Sequence, residues 1–504
     1  MANKTTSTVT FSILSPDASL SYDRIKLRLG EYRTLLASDS DTIELSTDNG
    51  KTVICQKQAN EMEAYLDEAE ILLRNVVQSR DISTLVVLHH LRDLAKVLDD
   101  LKLYDECRLT GNCALDLAEA LGRRSLELRH EQAETLAFIA GLSVYRPRAR
   151  TLFIQAVSIS EEVVENNASH SNKHKLLLVL DRAGFWASDR LRVQWLGHAI
   201  QLMTKELPPT MVPPQFRSII YNNYGIGLRQ LKQYFNALEA YHEAISICRT
   251  LVNYNPAKYN VDLARTFMNM GMAFHDFGKY DDAIGAYKEA LEICTAMSAH
   301  DPLQYNGLMG KTLYNYGIVL GELNQVSEAA AVEKQAISLS RSLAQTGNEW
   351  SILLCDSLHN YGCRCSLLGQ HAEAVLVYRE SLLLRRALAA TDSIQERRLI
   401  DSLHDISNSF FALDKHAEAG AAAIEGLERN HGRVLENCDY APNFMACFMC
   451  QKAVMMDSPG DGSSLLPYLL TNSSSHPAEQ PGAAASLTPA ETSTSAHIPP
   501  IGTF

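Results

Sequence analysis

The 504 residues include no apolar run near the roughly 18–20 residues that a membrane helix needs, so no span is expected. Basic charge is also scarce. There are 46 Lys and Arg against 59 Asp and Glu, a net charge of −13 spread without long acidic runs. That argues against general nucleic-acid binding, which needs a basic patch. The opening MANKTTSTVT lacks a charged-then-apolar signal peptide, and the expectation is a cytoplasmic protein. The N-x-S/T sequences at Asn3, Asn167 and Asn472 carry little weight in that setting.

Catalytic and metal motifs are missing too. There is no HExxH, no GxSxG and no kinase motif set. GLMGKT at Gly307–Thr312 imitates the end of a phosphate loop, but GxxxxGK[ST] requires glycine where Tyr305 stands. The pair His89-His90 has no nucleophile partner. The 11 cysteines are odd in number and scattered, which reads as reduced, buried thiols. Cys447 and Cys450 form one CxxC with no second pair at zinc spacing. The expectation is a non-enzyme with no cofactor and no metal.

What the chain does have is a repeat of about 45 residues. YNNYGIGLRQLKQYFNALEAYHEAI, FMNMGMAFHDFGKYDDAIGAYKEAL, LYNYGIVLGELNQVSEAAAVEKQAI and LHNYGCRCSLLGQHAEAVLVYRESL align without gaps on Gly225, Gly271, Gly317 and Gly362. A fixed period of this size means a solenoid rather than a globular enzyme. Each unit reads as two amphipathic helices. In the second, Met270, Phe274 and Phe277 mark one stripe, a turn at Gly278-Lys279-Tyr280 follows, and Ala283, Ile284, Tyr287, Ala290 and Leu291 mark the next. Twelve residues after each glycine stands Ala237, Ala283, Ala329 or Ala374, small enough for close helix approach. Sixteen after it stands Tyr241, Tyr287 or Tyr378, read as filling the gap between neighbouring units, with Glu333 breaking the pattern. Cys248 and Cys294 hold equivalent positions, which fits core packing.

This small, small, large signature resembles the tetratricopeptide repeat. The family repeat has about 34 residues. The longer period here is similar to kinesin light-chain-type and fungal arrays, with linkers such as NYNPAKYNVDLA and SAHDPLQYNGLMG placing Pro256 and Pro302 one period apart. Weaker copies extend the array. Ser407 takes the glycine position and Ala419 the alanine position at one end, and Ala95 aligns with Gly225 at the other. Two degenerate units lie near residues 128–165 (Ala149, Ala156) and 174–205 (Trp186, Trp195, Ala199). The resemblance implies an all-α, right-handed α-solenoid of about eight helix-turn-helix repeats over 84–430.

The ends differ. Residues 1–83 read as an extension, with a short hairpin in TIELSTDNGKTVIC around Asp48-Asn49-Gly50 and a capping helix over Gln56–Ser79. Residues 431–456 read as a second capping helix. From 457 to 504 the Ser-, Pro- and Ala-rich sequence reads as disordered.

One polar feature recurs. Two residues before each glycine stands Asn223, Asn269, Asn315 or Asn360, with Asp405 and Asp93 in the end units. This position flanks the core stripe of the first helix. In tetratricopeptide proteins the first helices line the concave groove, and the resemblance implies that these asparagines form a ladder there. A carboxamide offers a donor and an acceptor, so it can pair with a peptide backbone without reading its side chains. One turn earlier stand Arg265 and Lys311, and then Asp356 and Asp401. Arg229, His275, His359 and His404 are within reach of the same face. The expected function is a protein- or peptide-binding scaffold with no nucleic-acid or membrane partner. The alternative is a regulatory array sensing a small ligand or its own tail, which a closed apolar pocket near Trp186 and Trp195 would favour, as it would an enzyme with a site in 128–205.

Overall fold

The computed structural model describes residues 42–47, 50–55, 84–187, 189–344, 348–389 and 393–431, together with positions 26, 29, 65 and 67–71. The expected helix over 431–456, the tail from 457, the CxxC and most of the helix over Gln56–Ser79 lie outside the described residues. Strands β1 (Thr42–Thr47) and β2 (Gly50–Cys55) pair antiparallel, with Thr47 opposite Gly50.

Sixteen α-helices follow among the described residues. They are α1 (Thr84–Asp100), α2 (Tyr104–Gly122), α3 (Leu126–Ala140), α4 (Ala149–Asn166), α5 (His170–Trp186), α6 (Asp189–Gln201), α7 (Pro214–Gln230) and α8 (Tyr234–Val252). Then come α9 (Pro256–Asp276), α10 (Tyr280–Met297), α11 (Pro302–Glu322), α12 (Val326–Leu343), α13 (Asn348–Leu367), α14 (His371–Ala389), α15 (Ser393–Ala412) and α16 (His416–His431). They form eight consecutive helix pairs. The chain divides into two compact units, Met1–Ile247 and Cys248–Phe504.

In the first unit, Leu88, Leu91, Leu94 and Ala95 of α1 pack with Cys107 and Ala114 of α2, and Leu29 and Ala69 join this cluster. A second cluster gathers Leu177, Leu180 and Ala183 of α5 with Trp195, Leu196 and Ala199 of α6. In the second unit Leu358 of α13, Ala374 and Tyr378 of α14, Leu403 of α15 and Ala419 of α16 share one core.

The joints between pairs in the second unit are shorter than the sequence implied. The stretches read as linkers are helix from Pro256 and Pro302 onward. The reason is local. Asn255 accepts a hydrogen bond from Lys258 N at 3.2 Å and Asp301 accepts one from Gln304 N at 3.1 Å. An Asn or Asp cap followed by Pro at the first helical position starts a helix. The extra length of the repeat therefore goes into helices of 18 to 21 residues.

The expected apolar stripe of α9 also changes. Met270 is buried, Phe274 is half-buried, but Phe277 is 43 % exposed at the end of the helix. Thr266, Met268, Asn269 and Met272 are buried instead. In the second unit α9, α11, α13 and α15 each touch the first helix of the neighbouring pair as well as their own second helix. A helix flanked on two sides buries more than one stripe.

Candidate binding face on the first helices

The positions singled out in the sequence lie on the first helix of each pair. In the second unit Asn269, Asn315 and Asn360 occupy equivalent places on α9, α11 and α13 and are all buried. Their neighbours explain this, since the flank of each first helix meets the adjacent first helix. The carboxamide of Asn315 is 1 % exposed, and neither its Oδ1 nor its Nδ2 has a hydrogen-bond partner. Nδ2 of Asn360 is likewise unpaired, although the side chain lies beside the buried Tyr314 hydroxyl. In the first unit Asn223 of α7 is half-buried and accepts a hydrogen bond from Asn222 Nδ2 at 3.3 Å. Arg229, also on α7, is half-buried.

Three of the four charged positions one turn earlier, Arg265, Lys311 and Asp356, are partnered within the chain. Arg265 pairs with Asp262 at 3.1 Å. Lys311 Nζ pairs with Glu349 at 3.3 Å and lies 4.9 Å above the Trp350 ring. Asp356 is buried between Arg385, whose Nη2 donates at 2.8 Å, and Arg398. Burying a carboxylate is tolerable only with such pairing. The negative charge of Asp356 is thus neutralised. His275 donates from Nε2 to Glu322 at 2.9 Å and so ties α9 to α11.

The repeat signature has a direct geometric cause. A methyl group on Gly225, Gly271 or Gly362 would come within 2.5–2.7 Å of the ring of Tyr241, Tyr287 or Tyr378. The large residue therefore packs on the glycine of its own pair. The alanines Ala237, Ala283, Ala329, Ala374 and Ala419 are fully buried beside it. Residues 216–296, which span the first two of the four clear units, match the family model described as "Tetratricopeptide repeat". The chain carries tetratricopeptide repeats.

No curated protein matches the chain. Among solved structures the chain is similar to the apo form of the quorum sensor NprR from B. thuringiensis, at 13% identity and TM-score 0.44, covering 81% of this chain and 99% of that one. It is similar to the apo form of RapI at 12% identity and TM-score 0.45, covering 73% and 99%. It is also similar to a Podosopora anserina putative kinesin light chain with nearly identical repeats, at 17% identity and TM-score 0.35, covering 45% and 99%. No helix among the described residues is long and apolar enough to cross a membrane.

In the degenerate repeats the two tryptophans have different surroundings. Trp195 is part of the packed core, whereas Trp186 is exposed, with Phe185 set edge-on at 5.7 Å. Sequence reasoning missed two features of the second unit. One is Glu333, which replaces the tyrosine, is fully buried, and accepts from Arg364 Nε at 3.3 Å. Its break in the repeat pattern was the visible signal. The other is a polar cluster around His359, Cys363 and Asp405.

Proposed function

We propose that the chain is a non-enzymatic scaffold that holds an extended segment of another protein against the first helices of the second unit, through the carboxamides of Asn269, Asn315 and Asn360. The observation that carries this reading is Asn315, buried with a donor and an acceptor both unused. An orphaned buried polar group costs about 1–3 kcal/mol. Asparagine is also a poor helix former, so its recurrence in consecutive pairs calls for a compensating role. A bound peptide backbone supplies both missing partners at Asn315 and the one missing at Asn360 Nδ2. Neighbouring side chains have to swing aside to admit it, because the column is covered in the free chain. Arg265 and Lys311 add selectivity for an acidic segment by exchanging Asp262 and Glu349 for carboxylates of the partner. His275, tied to Glu322, borders the same face. Within the first unit, Asn223 and Arg229 of α7 are assigned a like role. The net charge of −13 disfavours nucleic acid and anionic membrane as partners.

The test is a titration of a peptide from a protein captured by the full chain against the wild type and the Asn269→Ala, Asn315→Ala, Asn360→Ala triple variant. Each asparagine offers up to two hydrogen bonds of about 0.5–1.5 kcal/mol net. The triple variant is therefore expected to bind weaker by roughly two or more orders of magnitude. Its melting temperature is expected to hold or rise. Unchanged binding would sink the ladder, and a clear fall in melting temperature would show that the asparagines are interhelical structure instead.

A further inference from the structure

At the far end of the second unit, His359 and Cys363 stand four residues apart on α13, so their side chains share one face. Asp405, on α15, takes the asparagine position of the last pair and reaches the same point. Cys363 Sγ lies 3.8 Å from His359 Nε2 and 3.8 Å from Asp405 Oδ2, and the last two atoms are 3.5 Å apart. From these contacts we propose that His359, Cys363 and Asp405 form a divalent-metal site with the donor set of zinc.

The geometry is that of a tetrahedral face. Zinc bonds of about 2.0 Å to nitrogen and oxygen and about 2.3 Å to sulfur separate tetrahedral ligand atoms by roughly 3.3–3.6 Å. The three atoms need to close by only a few tenths of an ångström. The donors themselves, one imidazole, one thiolate and one carboxylate, suit zinc.

The surroundings fix each ligand. Ser402 Oγ donates its single proton to the Arg398 carbonyl at 2.9 Å. It therefore accepts from His359 Nδ1 at 3.1 Å, which leaves the Nε2 lone pair facing the thiol and the carboxylate. Tyr378 donates its hydroxyl to Cys363 Sγ at 3.3 Å. His404 Nδ1 lies 3.2 Å from Asp405 Oδ1, the oxygen turned away from the cluster. Each ligand thus has an outer partner of the kind that orients metal ligands. Without a cation, His359 Nε2 and Asp405 Oδ2 have only the Cys363 thiol proton between them. The nearby Arg385 and Arg398 are committed to Asp356 and do not supply the charge. Binding releases the Cys363 proton to solvent and forms the metal–sulfur bond. Asp405, with its side chain 31 % exposed, opens the site to solvent, and the fourth position is left for water.

The full chain with Cys447→Ser and Cys450→Ser, which removes the CxxC, is stripped with chelator and titrated with cobalt(II) and with zinc against a chromogenic chelator. The expected result is one equivalent bound, tetrahedral cobalt absorption with a thiolate-to-cobalt charge-transfer band, and a zinc-dependent rise in melting temperature. Cys363→Ser should abolish the charge-transfer band. His359→Gln and Asp405→Asn should each weaken zinc at least about tenfold, and Ser402→Ala by about 10–100-fold. If Cys363→Ser loses its helical circular dichroism, Asp405→Asn decides. No zinc bound at micromolar concentration, or an Asp405→Asn chain with unchanged affinity and cobalt spectrum, overturns the site.

Discussion

Glu333 shows what one departure from a repeat does. Where the other pairs place a tyrosine ring over the glycine, its side chain carbon lies 2.7 Å from the Cβ position of Gly317. A carboxylate has thus been put in an apolar slot. Burial pushes its pKa from 4.5 up to about 7 against the pull of Arg364, and its Oε2 has no partner. The folded state then holds a proton that the unfolded chain has released between about pH 4.5 and 7. Stability therefore falls as pH rises through that window and levels off above it. In thermal melts from pH 4.5 to 8, Glu333→Gln should lose this decline, because a neutral amide fills the slot and still accepts from Arg364. The same slope in both proteins would mean that Glu333 ionises freely in the fold. The asparagine column was legible from the sequence as a recurring position on one flank. Its burial was not, since the periodicity of a single helix says nothing about the helices on either side of that flank. The metal cluster was hidden for a related reason. His359 and Cys363 share a helix face in the sequence, but only the stacking of α15 on α13 adds Asp405.

At the scale of the helix pair, the recurring device is the turn. Lys102, Lys232, Gly278, Asn324, Gly369 and Asp414 all stand seven residues after the aligned position, and all have φ between 57° and 76°. After each, a backbone N–H reaches back to close the first helix, as from Lys279 N to Phe274 O at 2.8 Å. This is the left-handed helix ending that favours glycine. A methyl group on Gly278 would meet nothing within 4 Å, so Gly278→Ala isolates the backbone cost, expected at about 1–2 kcal/mol. Lys232→Gly should act the other way and gain roughly 0.5–1 kcal/mol. Chemical denaturation of both variants checks this, and effects of one sign would refute it. The same device explains what was readable. The six pairs with the left-handed turn are those whose sequences align. The pair α3–α4 is joined instead by Gly141 at φ −77° and a 3₁₀ turn over Ser143–Arg148, and α6 runs into a π turn at Leu202–Glu206. Their turn chemistry lacks the shared signal, so the sequence showed two units there only by spacing. Pro256 and Pro302 misled in the opposite sense, because a proline that looks like a linker is also a good first helical residue.

For the whole molecule, the question is whether stability is shared or local. Within each unit a helix touches its partner and the adjacent pairs and little else. In such arrays stability is approximately a sum of repeat and nearest-neighbour terms, and cooperativity weakens with length. The three tryptophans make this measurable. Trp186 and Trp195 report α5 and α6, and Trp350 reports α13. A Trp350→Phe chain reads the first unit by fluorescence, and a Trp186→Phe, Trp195→Phe chain reads the second. Into both goes Gly362→Ala, whose methyl would lie 2.6 Å from the Tyr378 ring and is expected to cost about 1–3 kcal/mol through overpacking. The denaturation midpoint seen by Trp350 should drop, while that seen by Trp186 and Trp195 stays where it was. Equal shifts at both probes would mean that the strain at Gly362 is shared by all eight pairs. The chain would then unfold as one cooperative block, and the nearest-neighbour account of its stability would be wrong.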